Sequence, residues 1–238
     1  MTLAIEATSP PPSIEFERAS LSAASPLNIF QEILRASRQL TWVFVGDSHT
    51  NSNHAAADWS TMPESLAAHI REALGRSRDT LIDNTSSGQQ IKRLVEEFNV
   101  RAVTFRPDVL VIQISSSEST RGLGRLGNFE RRLMLLVQQA MQEGMLPILC
   151  TPPMGHQTAS DESLDELVYV EAIRAMAAEF DLPLVDHWAH WHWVASDIGG
   201  TDRWFDPESH FPNQAGHDQM TRRAIEDLWL VTDATHST

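Results

Sequence analysis

The chain has 238 residues, 42% of them hydrophobic, with 18 Lys and Arg against 32 Asp and Glu and a formal charge of −14. This balance excludes nucleic acid as an expected partner, because phosphate binding draws on Lys and Arg, and strongly anionic substrates are not expected either. Cys150 is the single cysteine, which excludes an internal disulfide. No apolar run is long enough for a transmembrane segment, and no basic start with an apolar run behind it marks secretion, so the expected location is cytoplasmic.

Residues 1–25, with Pro10-Pro11-Pro12 and many Ser and Ala, are expected to be a flexible tail, and residues 26–238 a single α/β domain. Leu27, Phe30, Ile33 and Leu34 predict a helix over Pro26 to Arg38, leading into a strand from Thr41 to Val45. That strand ends in Gly46-Asp47-Ser48, which delivers a hydroxyl at a carboxyl strand end, where open α/β sheets bind ligands. The polar stretch His49 to Ser60 has the length of a pocket wall. Thr61-Met62-Pro63-Glu64 has the form of a capping box, and the helix behind it carries Met62, Leu66, Ile70 and Leu74 on one face.

Thr80 to Asp83 reads as a strand, followed by the loop Asn84-Thr85-Ser86-Ser87-Gly88 and a helix with Ile91, Leu94, Val95 and Phe98 on one face. Gly88 has two readings, a turn residue needing positive φ or an open N–H facing Ser48. Pro107 to Ile114 is the clearest strand and ends in Ser115-Ser116-Ser117-Glu118. A helix from Asn128 to Glu143, a strand from Met145 to Thr151, a helix with Tyr169, Ile173, Met176 and Phe180, and a strand from Leu182 to Val185 follow. The acidic run Asp161 to Glu166 reads as a solvated helix start. A helix from Gln214 to Leu230 closes the chain. Five strands alternating with helices predict a five-stranded parallel sheet in a three-layer α/β/α sandwich.

A nucleophilic Ser48 needs a base and a group to orient it. Asp206-Pro207-Glu208-Ser209-His210, in a loop before the last helix, offers both. Gly46-Asp47-Ser48, the Gly88 loop, the end of the Ile114 strand and the Asp206 to His217 loop, in this order, resemble the SGNH hydrolases, also called the GDSL esterase/lipase family. The likeness runs from about Leu40 to the final helix. It implies a flavodoxin-like sandwich, Ser48 as nucleophile, His210 as general base, and an oxyanion hole built from the Ser48 and Gly88 N–H groups.

Two departures from the family pattern bear on the chemistry. Ser117 stands where the family has an Asn that donates to the oxyanion, and a hydroxyl reaches less far than a carboxamide. The family's Asp-x-x-His is stretched, so that Asp206 is one residue too far from His210 and Glu208 one too close. Asp206 is preferred as the orienting group, with Glu208 the alternative. His217 reads as helix-start packing, and Cys150 as a buried small hydrophobe. Asp186 to Trp193 packs His187, His190 and His192 among three tryptophans, and is expected to be the wall of a cleft or interface.

The expected activity is hydrolysis of a carboxylic ester, O-acetyl or short acyl, on a small molecule or carbohydrate, with no metal or other cofactor. An acyltransferase using Ser48, or a binding protein on a weakened hydrolase scaffold, are the alternatives. The oligomeric state is not legible.

Overall fold

The computed structural model describes residues 26–47, 60–86, 88–114, 116–154, 162–198, 201–206 and 211–230. The expected tail, residues 1–25, and residues 49–59 of the polar stretch lie outside them. Helix α1 (Pro26–Arg35) leads into β1 (Thr41–Gly46). Helix α2 (Met62–Glu72) opens with the capping box expected of it. Thr61 Oγ1 accepts from the Glu64 N–H, and the Glu64 carboxylate accepts from the Thr61 N–H at 2.8 Å. Strand β2 is Thr80–Asp83.

The single helix expected around Ile91 to Phe98 is broken into α3 (Ile91–Glu96) and α4 (Phe98–Arg101). Glu97, at φ −99° and ψ 8°, leaves helical geometry, and its carboxylate is held by Arg93 and Arg101. The break keeps Ile91, Leu94 and Phe98 all buried.

Strand β3 (Val109–Gln113), a single turn α5 (Ser116–Ser119), α6 (Leu126–Gln142), β4 (Leu146–Cys150), α7 (Glu162–Glu179) and β5 (Leu184–Val185) follow. His187–Ile198 is a further helix, α8, where sequence suggested only a wall. Asp186 caps it by accepting the Ala189 N–H at 3.0 Å, and the Trp188 N–H donates to Thr151 Oγ1 at 2.9 Å. Helix α9 (Gln214–Asp227) completes the fold. Among the described residues no helix is long and apolar enough to cross a membrane.

All pairings in the sheet are parallel, and the strand order is β2-β1-β3-β4-β5. Alternate strand residues feed two cores. Trp42, Phe44, Val109, Val111 and Ile148 pack under α1, α2, α8 and α9, while Val43, Val45, Leu110, Ile112 and Leu149 pack under α3, α4, α6 and α7. The result is the three-layer α/β/α sandwich that the alternation of strands and helices predicts.

The amino ends of the strands are tied by charge. The Arg76 guanidinium pairs with Asp79 and donates to the carbonyls of Leu34, Ala36 and Arg38 at 2.6, 2.9 and 2.8 Å. Asp79 in turn accepts from the Leu40 N–H and Trp42 Nε1, and Asp108 from the Thr41 N–H. A buried carboxylate supplied with this many donors meets the cost of its desolvation.

Candidate active site

Strand order reverses between β1 and β3, since β2 lies on one side of β1 and β3 on the other. In an open α/β sheet the crevice at such a switch point, outside the carboxyl ends of the strands, is where ligands bind. Gly46-Asp47-Ser48 leaves β1 there, and Ser115-Ser116-Ser117 leaves β3.

The exit from β1 depends on glycine. Gly46 is registered with Gln113, and a Cβ on it would fall 2.2 Å from the Gln113 carbonyl oxygen. Asp47, buried, continues the ladder by donating its N–H to that same oxygen at 3.1 Å. Ser48 lies outside the described residues.

The loop after β2 is fixed beside this exit. The Asn84 N–H donates to Phe44 O at 2.9 Å and the Ser86 N–H to Gly46 O at 3.1 Å, which carries strand-like pairing past the end of β2. Asp83 Oδ1 accepts from the backbone and hydroxyl of Thr85, and burial raises the Asp83 pKa against these two bonds. The Gln89 N–H closes the turn on Ser86 O, and Gly88 is exposed at φ +65°. Positive φ is therefore a real demand at Gly88. A Cβ there would meet nothing within 4 Å, so the space beside it is open.

The loop after β3 turns into α5. Ser117 belongs to this turn by its backbone, and its side chain lies outside the described part of the structure. The next residue, Glu118, is buried, and its Oε1 accepts the N–H of Ile91, the first residue of α3, at 2.8 Å. One carboxylate thus joins the segment bearing Ser117 to the helix that follows Gly88. Sequence reading passed over Glu118; a carboxylate at a strand end facing a helix N-terminus was the available signal.

The loop before α9 is closed at its base. Phe205 and Pro212 form an antiparallel bridge, the Asp206 N–H donates to Phe211 O at 2.8 Å, and the Asn213 N–H donates to Trp204 O at 2.9 Å. Asn213 secures the base from within. Its amide donates to the carbonyls of Arg203 and Phe205, and its Oδ1 accepts the Gly216 N–H as the cap of α9. Backbone pairing forms here across a proline, because Pro212 needs no N–H for its part in it. Asp206, partly buried, stands at the last paired position. Glu208 and His210 lie outside the described residues.

His217 packs at the start of the last helix, as expected, its Nδ1 accepting the Met62 N–H at 3.3 Å. The histidines of the Trp-rich segment are dispersed by α8. His187 is fully buried, His190 lies 3.2 Å from Gln219 Oε1, and His192 is exposed. Among the described residues no three His, Cys, Asp or Glu side chains come together in a way that could hold a metal ion.

Asp186 joins four elements. Arg174 of α7 clasps it at 2.8 and 3.0 Å, Thr151 after β4 donates to it, and the backbone N–H of Asp186 donates to Asp227 of α9. Burial works to raise its pKa, but Arg174 and the Ala189 N–H together hold it low.

The model of the GDSL-like Lipase/Acylhydrolase family matches residues 44–219. Among solved structures, Axe2, an acetylxylan esterase from Geobacillus stearothermophilus, superposes with a TM-score of 0.70 at 17% identity, covering 82% of this chain and 97% of that one. A protein from Parabacteroides merdae, named for its likeness to GDSL lipases, superposes with a TM-score of 0.70 at 17% identity, covering 83% of this chain and 99% of the other. No curated protein matches by sequence.

Proposed function

The chain belongs to the GDSL-like lipase/acylhydrolase family and is an SGNH-type hydrolase, and from that premise we propose that it is a serine esterase removing a short acyl group, acetyl foremost, from a carbohydrate hydroxyl. In this reading Ser48 Oγ attacks the ester carbonyl while His210 takes its proton, and Asp206 orients His210. The tetrahedral oxyanion is met by the N–H groups of Ser48 and Gly88 and by the hydroxyl of Ser117. The alcohol departs with the proton from His210, and water then attacks the acyl-enzyme by the same route.

The observation that carries the reading is the convergence at the switch point. The exit of β1, the Gly88 loop bonded to Gly46, and the α5 turn joined to α3 by Glu118 are three segments held around one crevice. Axe2 supports the acyl and alcohol assignments through its description as an acetyl-xylooligosaccharide esterase. Its catalytic mutants replace a Ser, an Asp and a His, and there the Asp stands three positions before the His. Asp206 stands four before His210, so in this reading the segment between them carries one residue more than its counterpart in Axe2.

The test is mass spectrometry after exposure to a fluorophosphonate, with turnover of a chromogenic acetate ester measured in parallel. A single adduct on Ser48, lost together with turnover in Ser48→Ala, is the expected result. Labelling of another residue, or turnover retained in the variant, overturns the assignment.

A further inference from the structure

Where α7 of one layer meets α8 and α9 of the other lies a cleft of about 1040 Å³. Its chemistry runs against the average of the chain. Four guanidiniums line it, those of Arg174, Arg203, Arg222 and Arg223, with Glu226 as the carboxylate on its wall. Two are committed, Arg174 to Asp186 and Glu171, and Arg223 to Asp227. The other two are not: Arg203 stands 5.9 Å from the centre of the Trp204 ring, and neither Arg203 nor Arg222 has a carboxylate partner among the described residues.

The same walls carry indole surface. Trp188 and Trp204 are buried in the floor, and Trp193 leaves 70% of its surface exposed. A guanidinium without a partner favours a planar carboxylate, which it grips through two parallel N–H bonds. An exposed indole favours a flat apolar face that still carries hydroxyls around its edge. A pyranose ring bearing a carboxylate presents both surfaces at once. The volume is at the upper end of what a compact small ligand fills, which fits two or three such rings rather than one.

We propose that this cleft binds a carboxylate-bearing saccharide. Met154 and Trp188 on its wall follow the carboxyl ends of β4 and β5, and Arg203 and Trp204 immediately precede the Asp206 loop. The cleft therefore opens beside the same sheet edge as the candidate active site, although its occupancy does not depend on the triad. The formal charge of −14, which argued against anionic ligands, is an average over the whole surface. Screening confines its effect at about 0.15 M salt to roughly 8 Å, so the local field is set by the groups lining the cleft, Arg203 and Arg222 against Glu226.

The experiment is calorimetric titration of the intact protein with trigalacturonate, with neutral xylotriose and inorganic phosphate as comparison ligands. Trigalacturonate should bind at least about 10-fold more tightly than either, and more weakly as salt is raised. Arg203→Gln with Arg222→Gln, and separately Trp193→Ala, should each weaken it by about 10-fold or more. All three are surface changes, and unchanged circular dichroism and melting would confirm intact folds. Equal affinity for xylotriose, equal affinity for phosphate, no binding of trigalacturonate, or variants that bind like the parent would each overturn the proposal.

Discussion

At Gly46 a single missing methyl group decides whether two strands can lie side by side. Its ideal Cβ position is 2.2 Å from a backbone oxygen, an atom that cannot turn aside as a side chain could. Gly46→Ala should therefore cost about 1–3 kcal/mol or more, read as a lower urea midpoint at unchanged slope. The orienting carboxylate is a second test at this scale. Asp206→Asn should reduce turnover by about 10⁴, by analogy with loss of the third triad member elsewhere, and Glu208→Gln far less. The reverse order would move the role to Glu208. Ser117→Ala should lower turnover by about 10-fold with little change in KM, because an oxyanion donor strengthens as charge develops.

Among elements, α3 and α5 act as a pair through Glu118. Glu118→Ala leaves the Ile91 N–H buried without an acceptor, a loss of roughly 1.5–3 kcal/mol for a bond to a charged group. Glu118→Gln retains an acceptor oxygen and should recover most of it. If the pairing positions the two segments proposed to meet the oxyanion, the Ala variant loses kcat more than KM and the Gln variant restores it; equal loss in both, or a change in melting alone, would reduce Glu118 to a stability role.

All five strands were legible in the sequence, β1, β3 and β4 as apolar runs and the short β2 and β5 from their place between helices and turn residues, as was the capping box at Thr61. Helix α8 was not, since a segment dense in Trp and His shows no clear polar face until Asp186 and Thr151 are seen to cap it. The paired base of the Asp206 loop was hidden for a related reason. Its bonds run from backbone to backbone, and Pro and Gly locally advertise only a turn. The partners of Glu118 and Asp186 lie far off in the chain, so only the tertiary fold shows what they hold.

For the molecule as a whole, the buried His187 links stability to pH. Its ring is fully buried with neither nitrogen bonded among the described residues, and burial pushes its pKa down to about 3. The folded state therefore prefers the neutral ring, while the unfolded chain takes up a proton near the ordinary value of 6.5. Its contribution is complete above about pH 6.5 and is lost as pH falls toward 3, with a slope approaching about 1.4 kcal/mol per pH unit. Between about pH 6.5 and 5, before most carboxylates titrate, urea midpoints of the parent should fall more steeply than those of His187→Asn. Parallel profiles would remove the linkage.

The strands place their two ends in different service. Arg76, Asp79 and Asp108 clasp the amino ends, and among the described residues none of the segments around the crevice bonds to them. Loops after β1, β2, β3 and before α9 can accordingly be exchanged or lengthened without disturbing the clasp. A scaffold divided in this way can drift toward new esters at one edge while the clasp holds the other, and loop grafts from distant relatives that keep Gly46 and Glu118 should be tolerated there before any change at Arg76 is.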